Sequence, residues 1–507
     1  ASDSLKKEFI VAYPQSSQIV SMKPANKVRD NKRAAEPVEK RWLAKGNATK
    51  QNKVRTQGRV ALPSELDRIR QVARGDKDEQ FTALWHHVYD ICRLKRSFLS
   101  LKRRSSAGVD RLTWSDYQKD LDGNLADLSN RLKRGAYRAK PVKRTYIPKS
   151  DGGKRPIGIP ALEDKVVQKS LVEVLNAIYE VDFMGFSYGF RPARSPHNAL
   201  DAAVVAIEAK KVNWVLDVDI RGFFDAINHR WLIRFVRHRI KDRCIIRHIK
   251  KWLNAGILED GKWRKAFEGT PQGGSASPLL ANIYLHYAFD LWANKWKKTK
   301  AKGDVIMIRF ADDILTGFQY RHEAERFVKE LRQRFFKFNL QLHPIKTRLI
   351  EFGRYADARR KERGKSKPDT FNFLGFTHIC SRSRQGKFMV LRKTESARMR
   401  SKLLQIKAEL RKRLHWRLSD VGKWLKSVLN GHYRYYGVPW NGKKLSRFRW
   451  ILMRLWYKSL RRRSQKHKMT WERMYRISDR WLPMPFICHP YPSMRLCVNT
   501  RGRSPVR

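Results

Sequence analysis

Acid is scarce in this chain. Against 110 Lys plus Arg stand only 47 Asp plus Glu, a formal net charge of +63 over 507 residues. The excess runs along the whole chain, and such a field repels basic partners and concentrates polyanions. Nucleic acid, held in a salt-dependent way, is the most economical partner. An anionic membrane surface is the second choice. Cysteine is also sparse: Cys92, Cys244, Cys380, Cys488 and Cys497 are odd in number and form no CxxC pair. A disulfide framework or four-cysteine zinc site is thereby disfavoured, and a reducing cytoplasm fits. The spacing of Cys488, His489 and Cys497 is a weak metal signal, read as unliganded side chains. No apolar run approaches the roughly 18 residues of a membrane span, so a transmembrane role is not expected; with nucleic acid preferred to a membrane surface, no membrane partner is expected. The opening residues include Asp3 and Glu8 and lack a long apolar run, so no secretory signal is expected. No repeat of fixed period is present. Aromatics are not lacking. The 16 Trp, 17 Tyr and 24 Phe argue against a disordered polycation, and the length allows several cores.

The acids that do occur are placed unevenly. Val305 to Phe318 reads as two short apolar strands joined at a turn that carries Asp312 and Asp313. An ordinary hairpin with Asp as a turn residue is the bland alternative. Upstream, Trp214 to Ile220 reads as another apolar strand. Its alternation puts Trp214, Leu216, Val218 and Ile220 on one face and Val215, Asp217 and Asp219 on the other. Side by side, the two segments would gather three acids in a small volume. Like charges so close need neutralising cations. Mg2+ is the usual hard ion for oxygen ligands, and two such ions can serve phosphoryl transfer. A two-metal nucleotidyl transferase is the working expectation.

Around these segments the chain divides by composition. Residues 1–62 are polar and basic with little periodicity, an extension that orders on RNA or stays mobile. Helix signals begin at Pro63-Ser64-Glu65, where Ser64 can cap. Lys140 to Pro160 reads as strand, Asp-Gly-Gly turn and returning strand, with cations on both flanks. It is either a solvated basic hairpin or a finger for a triphosphate. Helices follow from about Leu162 to Ala209, broken near Gly185 to Pro192. Gly269 to Asn282 is a small-residue turn opening a helix, whose N-terminus favours phosphate. Residues 321–338 look helical, Leu340 to Thr347 a short strand and turn, 354–369 a loop, and Phe371 to Phe376 a strand. After about residue 386 the chain turns helical. Met399, Leu403, Ile406, Leu410 and Leu414 make an apolar stripe, and a second helix covers about 446–463. Tyr433, Tyr435, Tyr436 and Trp440 stand among cations and suit RNA stacking, or else a basic face over a core.

The order of these pieces resembles the reverse transcriptases encoded by bacterial group II introns, the maturases. The likeness runs from about residue 63 onward and is most specific from Ala107-Gly108-Val109-Asp110 to Phe376. It implies an α+β right-hand polymerase: fingers, and a palm whose antiparallel sheet carries the paired-Asp hairpin, over 63–385. A helical thumb and maturase domain over 386–470 and a basic tail over 471–507 would follow. The implied activity is RNA-directed DNA synthesis, with intron RNA bound to assist splicing and retrohoming. Implied partners are structured or intron RNA, a DNA primer or target, and dNTP; the implied location is the bacterial cytoplasm. Asp219, Asp312 and Asp313 would be the catalytic carboxylates and hold two Mg2+ ions. Lys149 and Arg155 would meet the triphosphate, Phe224 would gate the sugar, Gln272 would line the pocket, and Lys346 would stand at the leaving pyrophosphate. Phe373, Leu374 and Gly375 would support the primer end. Phe310 replaces the family's usual Tyr before Ala-Asp-Asp, and Ile345 stands where an acid is common. No HNH-type endonuclease set is seen before Arg507. A domesticated enzyme of DNA repair or phage defence, or a catalytically silent splicing maturase, are the alternatives.

Overall fold

The computed structural model describes residues 63–148, 153–259, 261–264, 268–270, 273–463 and 469–500. Expectations on 1–62, Lys149, Gln272 and 501–507 lie outside these residues. All described residues belong to the unit Gly58–Arg507.

The alternating apolar segments pair as the period of two requires. Strands β1 (Val142–Pro148) and β2 (Lys154–Ile159) are antiparallel, with Ile147 opposite Arg155. Short strands β4 (Ile257–Glu259) and β5 (Lys262–Arg264) extend that sheet, β4 running parallel to β1. Strand β3 (Trp214–Val218) sits inside a second sheet with β6 (Val305–Phe310), β7 (Asp313–Phe318) and β8 (Arg348–Glu351). Its order is β6-β7-β3-β8 and every pair is antiparallel. A third sheet holds β9 (Phe371–Phe373), β10 (Phe376–Arg382) and β11 (Phe388–Thr394). The chain is therefore mixed α and β, its strand pairs antiparallel save β1 with β4.

Both faces of the second sheet are covered. Leu216, Val218, Ile220, Ile314 and Phe318 enter the largest core with helices Leu162–Asp182, Ser277–Leu285 and Arg321–Phe336. Val215, Ile306, Ile308 and Leu315, on the opposite face, enter a second core with helix Pro196–Ala209 and the third sheet. A third core joins helices Ser396–Lys412, Leu418–Tyr436, Gly442–Arg461 and Trp471–Trp481.

Several local expectations change. The helix that opens the described chain includes Pro63, a residue suited to a first turn because its missing N–H needs no partner there, so Ser64 lies inside rather than at the cap. Residues expected as a 354–369 loop contain the helix Ala356–Glu362. The Phe371 to Phe376 segment is two strands, folded at Leu374 and Gly375, both at positive φ (48° and 81°). The helical stretch expected from about 386 starts at Ser396, because Phe388–Thr394 pairs with β10. The stretch expected as a tail includes Trp471–Trp481, whose Met474 is fully buried in the third core. Tyr433 is also fully buried and donates to the Pro483 carbonyl, so core packing takes it from any stacking role. Trp440 stays half exposed.

Candidate active site

Register carries the acids to one end of the second sheet. Val218 of β3 lies opposite Ile314 of β7, so Asp219, the next residue, comes beside Asp313. Adjacent strands are about 4.8 Å apart. Asp217 shares that sheet face, opposite Leu315 on one side and Arg348 on the other. The face is apolar where it meets the second core and acidic where it leaves it.

Proximity shows in the acids' proton affinities. Burial, and then the Asp219 carboxylate, push Asp312 up, while Arg155 and Arg309 pull it down. Asp313 is exposed, yet withdrawal from bulk water raises it to about 7, helped by Asp312, Asp217 and Asp219; Arg398 opposes the shift. Burial likewise lifts Asp217 to about 6, against the pull of Arg348. Asp217, Asp312 and Asp313, each pushed toward its protonated form, supply with Asp219 the hard-oxygen donor chemistry that suits a divalent cation. Among the described residues, however, no three His, Cys, Asp or Glu side chains converge as a closed ligand set. The Cys488 and His489 signal is likewise spent on backbone: Cys488 Sγ meets the Tyr433 carbonyl and His489 Nε2 the Arg434 carbonyl at 2.7 Å.

Buried residues hold the turn that presents the paired acids. Ala311 sits at φ 57°, a strained value for a residue with a Cβ. Arg309, fully buried, donates to the Ala311 carbonyl (3.1 Å) and the Asn282 Oδ1 (2.9 Å). It also forms a two-pronged pair with fully buried Asp290, at 2.7 and 2.6 Å. Asp290 ends a single π turn, His286–Asp290, between two α-helices. Asn282 in turn donates to the Gly189 carbonyl at 2.7 Å. Gly189 touches the turn so closely that a Cβ there would lie 2.1 Å from Ala311 N. The Gly185 to Pro192 break between helices thus buttresses the acid hairpin, with Arg309 N and O bonded to Phe186 O and Tyr188 N, each at 2.8 Å.

A second brace holds Asp219. His343 N donates to the Asp219 carbonyl at 2.8 Å, and Thr347 Oγ1 lies within reach of the Asp219 N and O. The His343 ring accepts from Ile345 N and Lys346 N, closing the turn. Lys346 Nζ comes 3.9 Å from Asp219 Oδ2. Phe224 is half-buried on the short helix Phe223–Ala226, edge-on to Phe223, with its carbonyl accepting from Thr270 N at 2.8 Å. Arg155 is exposed on β2, near enough for its charge to favour ionised Asp312. The neighbouring loop meets β2 closely: a Cβ on Gly273 would lie 2.4 Å from the Gly158 carbonyl. Phe373 is buried, while the turn behind it is pinned by Tyr435 Oη donating to the Leu374 carbonyl at 2.9 Å and Glu395 N to the Gly375 carbonyl at 3.1 Å.

Sequence reasoning passed over Arg309, Asp290, Asn282, Gly189, His343, Thr347 and Arg348. One signal was available: an Arg inside an otherwise apolar strand, beside the acid turn, demands a buried partner. Nothing local named Asp290 as that partner.

Residues 147–378 match the reverse transcriptase (RNA-dependent DNA polymerase) family model. The chain is 34% identical over 330 residues to the Escherichia coli protein YkfC, covering 58% of this chain and 82% of that protein. It is 39% identical over 225 residues to the group II intron-encoded protein LtrA of Lactococcus lactis, 44% of this chain but 37% of LtrA. It is 30% identical over 304 residues to a 91 kDa protein encoded in the cob intron of Schizosaccharomyces pombe, again 37% of that relative. The chain thus spans well under half of the intron-encoded relatives it matches. With the paired acids, the neighbouring acid strand and the braced turns inside the matched region, the chain belongs to the reverse transcriptase family of group II intron-encoded proteins and maturases.

Proposed function

We propose that the protein is an RNA-directed DNA polymerase that also binds intron RNA to assist its splicing and retrohoming. One observation carries the reading: the β3/β7 register that puts Asp219 beside the Asp312 and Asp313 turn. In this reading the second sheet is the palm, the β1/β2 sheet and its helices are fingers, and the four-helix third core is the thumb and maturase domain.

Asp219, Asp312 and Asp313 would hold Mg2+, with Asp217 beside them. The ion's contribution is to neutralise these acids and to lower the charge cost at the attacking and leaving oxygens. The chain's own residues do the rest. The Leu374 and Gly375 turn seats the primer end, so that its 3′-OH faces the α-phosphate of the incoming dNTP. Arg155 meets the triphosphate, with Lys149 and Gln272 assigned to the same pocket by family resemblance. Phe224 packs beneath the sugar and leaves no room for a 2′-OH. Lys346 supplies positive charge where the pyrophosphate departs. The template is RNA and the primer DNA; the high positive charge favours both. No helix among the described residues is long and apolar enough to cross a membrane, and we place the protein with nucleic acid in the bacterial cytoplasm.

The test is primer extension on an RNA template. Asp312→Ala is expected to abolish synthesis while the protein still binds the primer–template. Near-normal synthesis by that variant overturns the carboxylate assignment.

A further inference from the structure

On the side of the palm sheet away from the acids, helices Leu291–Thr299 and Arg321–Phe336 border a groove of about 850 Å3. Trp292 and Lys300 line one wall; Arg332, Gln333, Phe336 and Lys337 line the other. Phe336 is 79% exposed, whereas its neighbour Phe335 is fully buried in the core. A helix with this apolar stripe does not need a second Phe facing solvent.

The groove's charges are not self-compensated. Its one acid, Glu330, is consumed by Lys300 Nζ (2.6 Å), Arg326 Nε (3.0 Å) and Trp296 Nε1 (3.1 Å). Arg334 is fixed by the carbonyls of Ala288 and Tyr287 and lies over the Phe338 ring. Arg332 and Lys337 engage no acid among the described residues. What remains open is an aromatic face rimmed by two available cations.

We propose that this groove holds a single-stranded segment of RNA, one base stacked on Phe336 and the flanking phosphates on Arg332 and Lys337. Unpaired bases offer π faces and phosphates together, which neither an apolar protein face nor a stacked duplex does. The two helices cover the sheet face of Phe318, and the acids occupy the opposite face with Val215 and Leu315. Groove and polymerase cleft can therefore be filled at once. The inference rests on the reading of this protein as a nucleic-acid enzyme, but on none of its chemistry.

The experiment loads the full chain with saturating primer–template and adds a fluorescent oligouridylate carrying 4-thiouridine. Irradiation is expected to crosslink it to the peptide bearing Phe336. Phe336→Ala is expected to weaken its binding about 5- to 150-fold, the worth of one stacked base. Arg332→Gln with Lys337→Gln is expected to flatten the log–log salt slope by about 1.4, for two single-strand phosphates. The exposed control pair Lys367→Gln and Arg384→Gln leaves that slope unchanged. The proposal is overturned by unchanged affinity in Phe336→Ala, by crosslinks only elsewhere, or by an acidic peptide competing as well as the RNA at this site. Primer extension on a short template by Phe336→Ala stays normal. A parent chain that extends primers but gives no crosslink at the Phe336 peptide sinks the groove alone; a crosslink at that peptide in a parent chain that extends no primer on an RNA template sinks the polymerase reading alone.

Discussion

Replacing Arg309 by Met removes the guanidinium behind the acid turn and leaves a side chain of comparable length. Four hydrogen bonds go: two to Asp290, one to Asn282 and one to the Ala311 carbonyl. Both members of the ion pair are fully buried. His286, 3.9 Å from Asp290, is no substitute, because burial lowers its pKa to about 4 and leaves it neutral. Stranding the Asp290 carboxylate should cost about 3–5 kcal/mol. Replacing the whole pair, Arg309→Met with Asp290→Leu, should recover most of that loss, since two apolar groups need no solvation. Catalysis should not recover with it. The Ala311 carbonyl still lacks its donor, and a left-handed Ala held at a cost of about 1–3 kcal/mol is free to relax. A shift of about 1 Å in Asp312 is enough for a loss of about a hundredfold. Denaturant unfolding measures the first effect and primer extension the second. A double variant that extends primers like the parent, or a single Arg309→Met that unfolds less than about 1 kcal/mol more easily, refutes the reasoning.

Three further outcomes are expected. Gly189→Ala drives a Cβ into the Ala311 amide and should lower primer extension, with a stability cost of about 1–3 kcal/mol from overpacking; a silent variant would show that the buttress does not set the turn. Phe224→Ala should admit ribonucleotides, scored by incorporation of rNTP against dNTP, and an unchanged preference removes the sugar gate. Asp313, raised to about 7, retains its proton in the folded protein above the pH at which an unfolded Asp ionises. Its contribution to stability without metal is therefore present at low pH and lost as pH rises through about 7, whereas Mg2+ or Mn2+ should bind more weakly as pH falls below 7. Asp313→Asn should flatten the pH dependence of both melting and metal affinity, and a dependence that survives the substitution assigns it to another group.

The acid hairpin was legible because its cues are local. A strand shows its period of two within a few residues, so the opposite faces of Leu216 and Asp219 and the turn at Asp312 follow from order along the chain. The basic β1/β2 hairpin and the Met399, Ile406, Leu410 stripe were legible for the same reason. Errors came where local cues competed. The basic stretch at 354–369 reads as loop by composition, yet Ala356–Glu362 forms a helix whose Ala356 is buried. The tyrosines at 433, 435 and 436 read as a stacking surface because neighbouring cations do not reveal which way a helix face turns. Tyr433 faces the third core, and Tyr435 reaches the Leu374 carbonyl 61 residues away.

Sequence alone therefore determined which residues alternate, where the paired-acid turn falls, and that scarce acids are concentrated against a charge of +63. Only tertiary structure decided that β3 lies between β7 and β8, that Asp217 joins the acids, and that Arg309 finds Asp290 beneath them. The reason is physical. Side-chain direction is a property of the local backbone, whereas strand neighbours and buried ion pairs are chosen by burial summed over segments far apart in the chain, and no short stretch contains that sum.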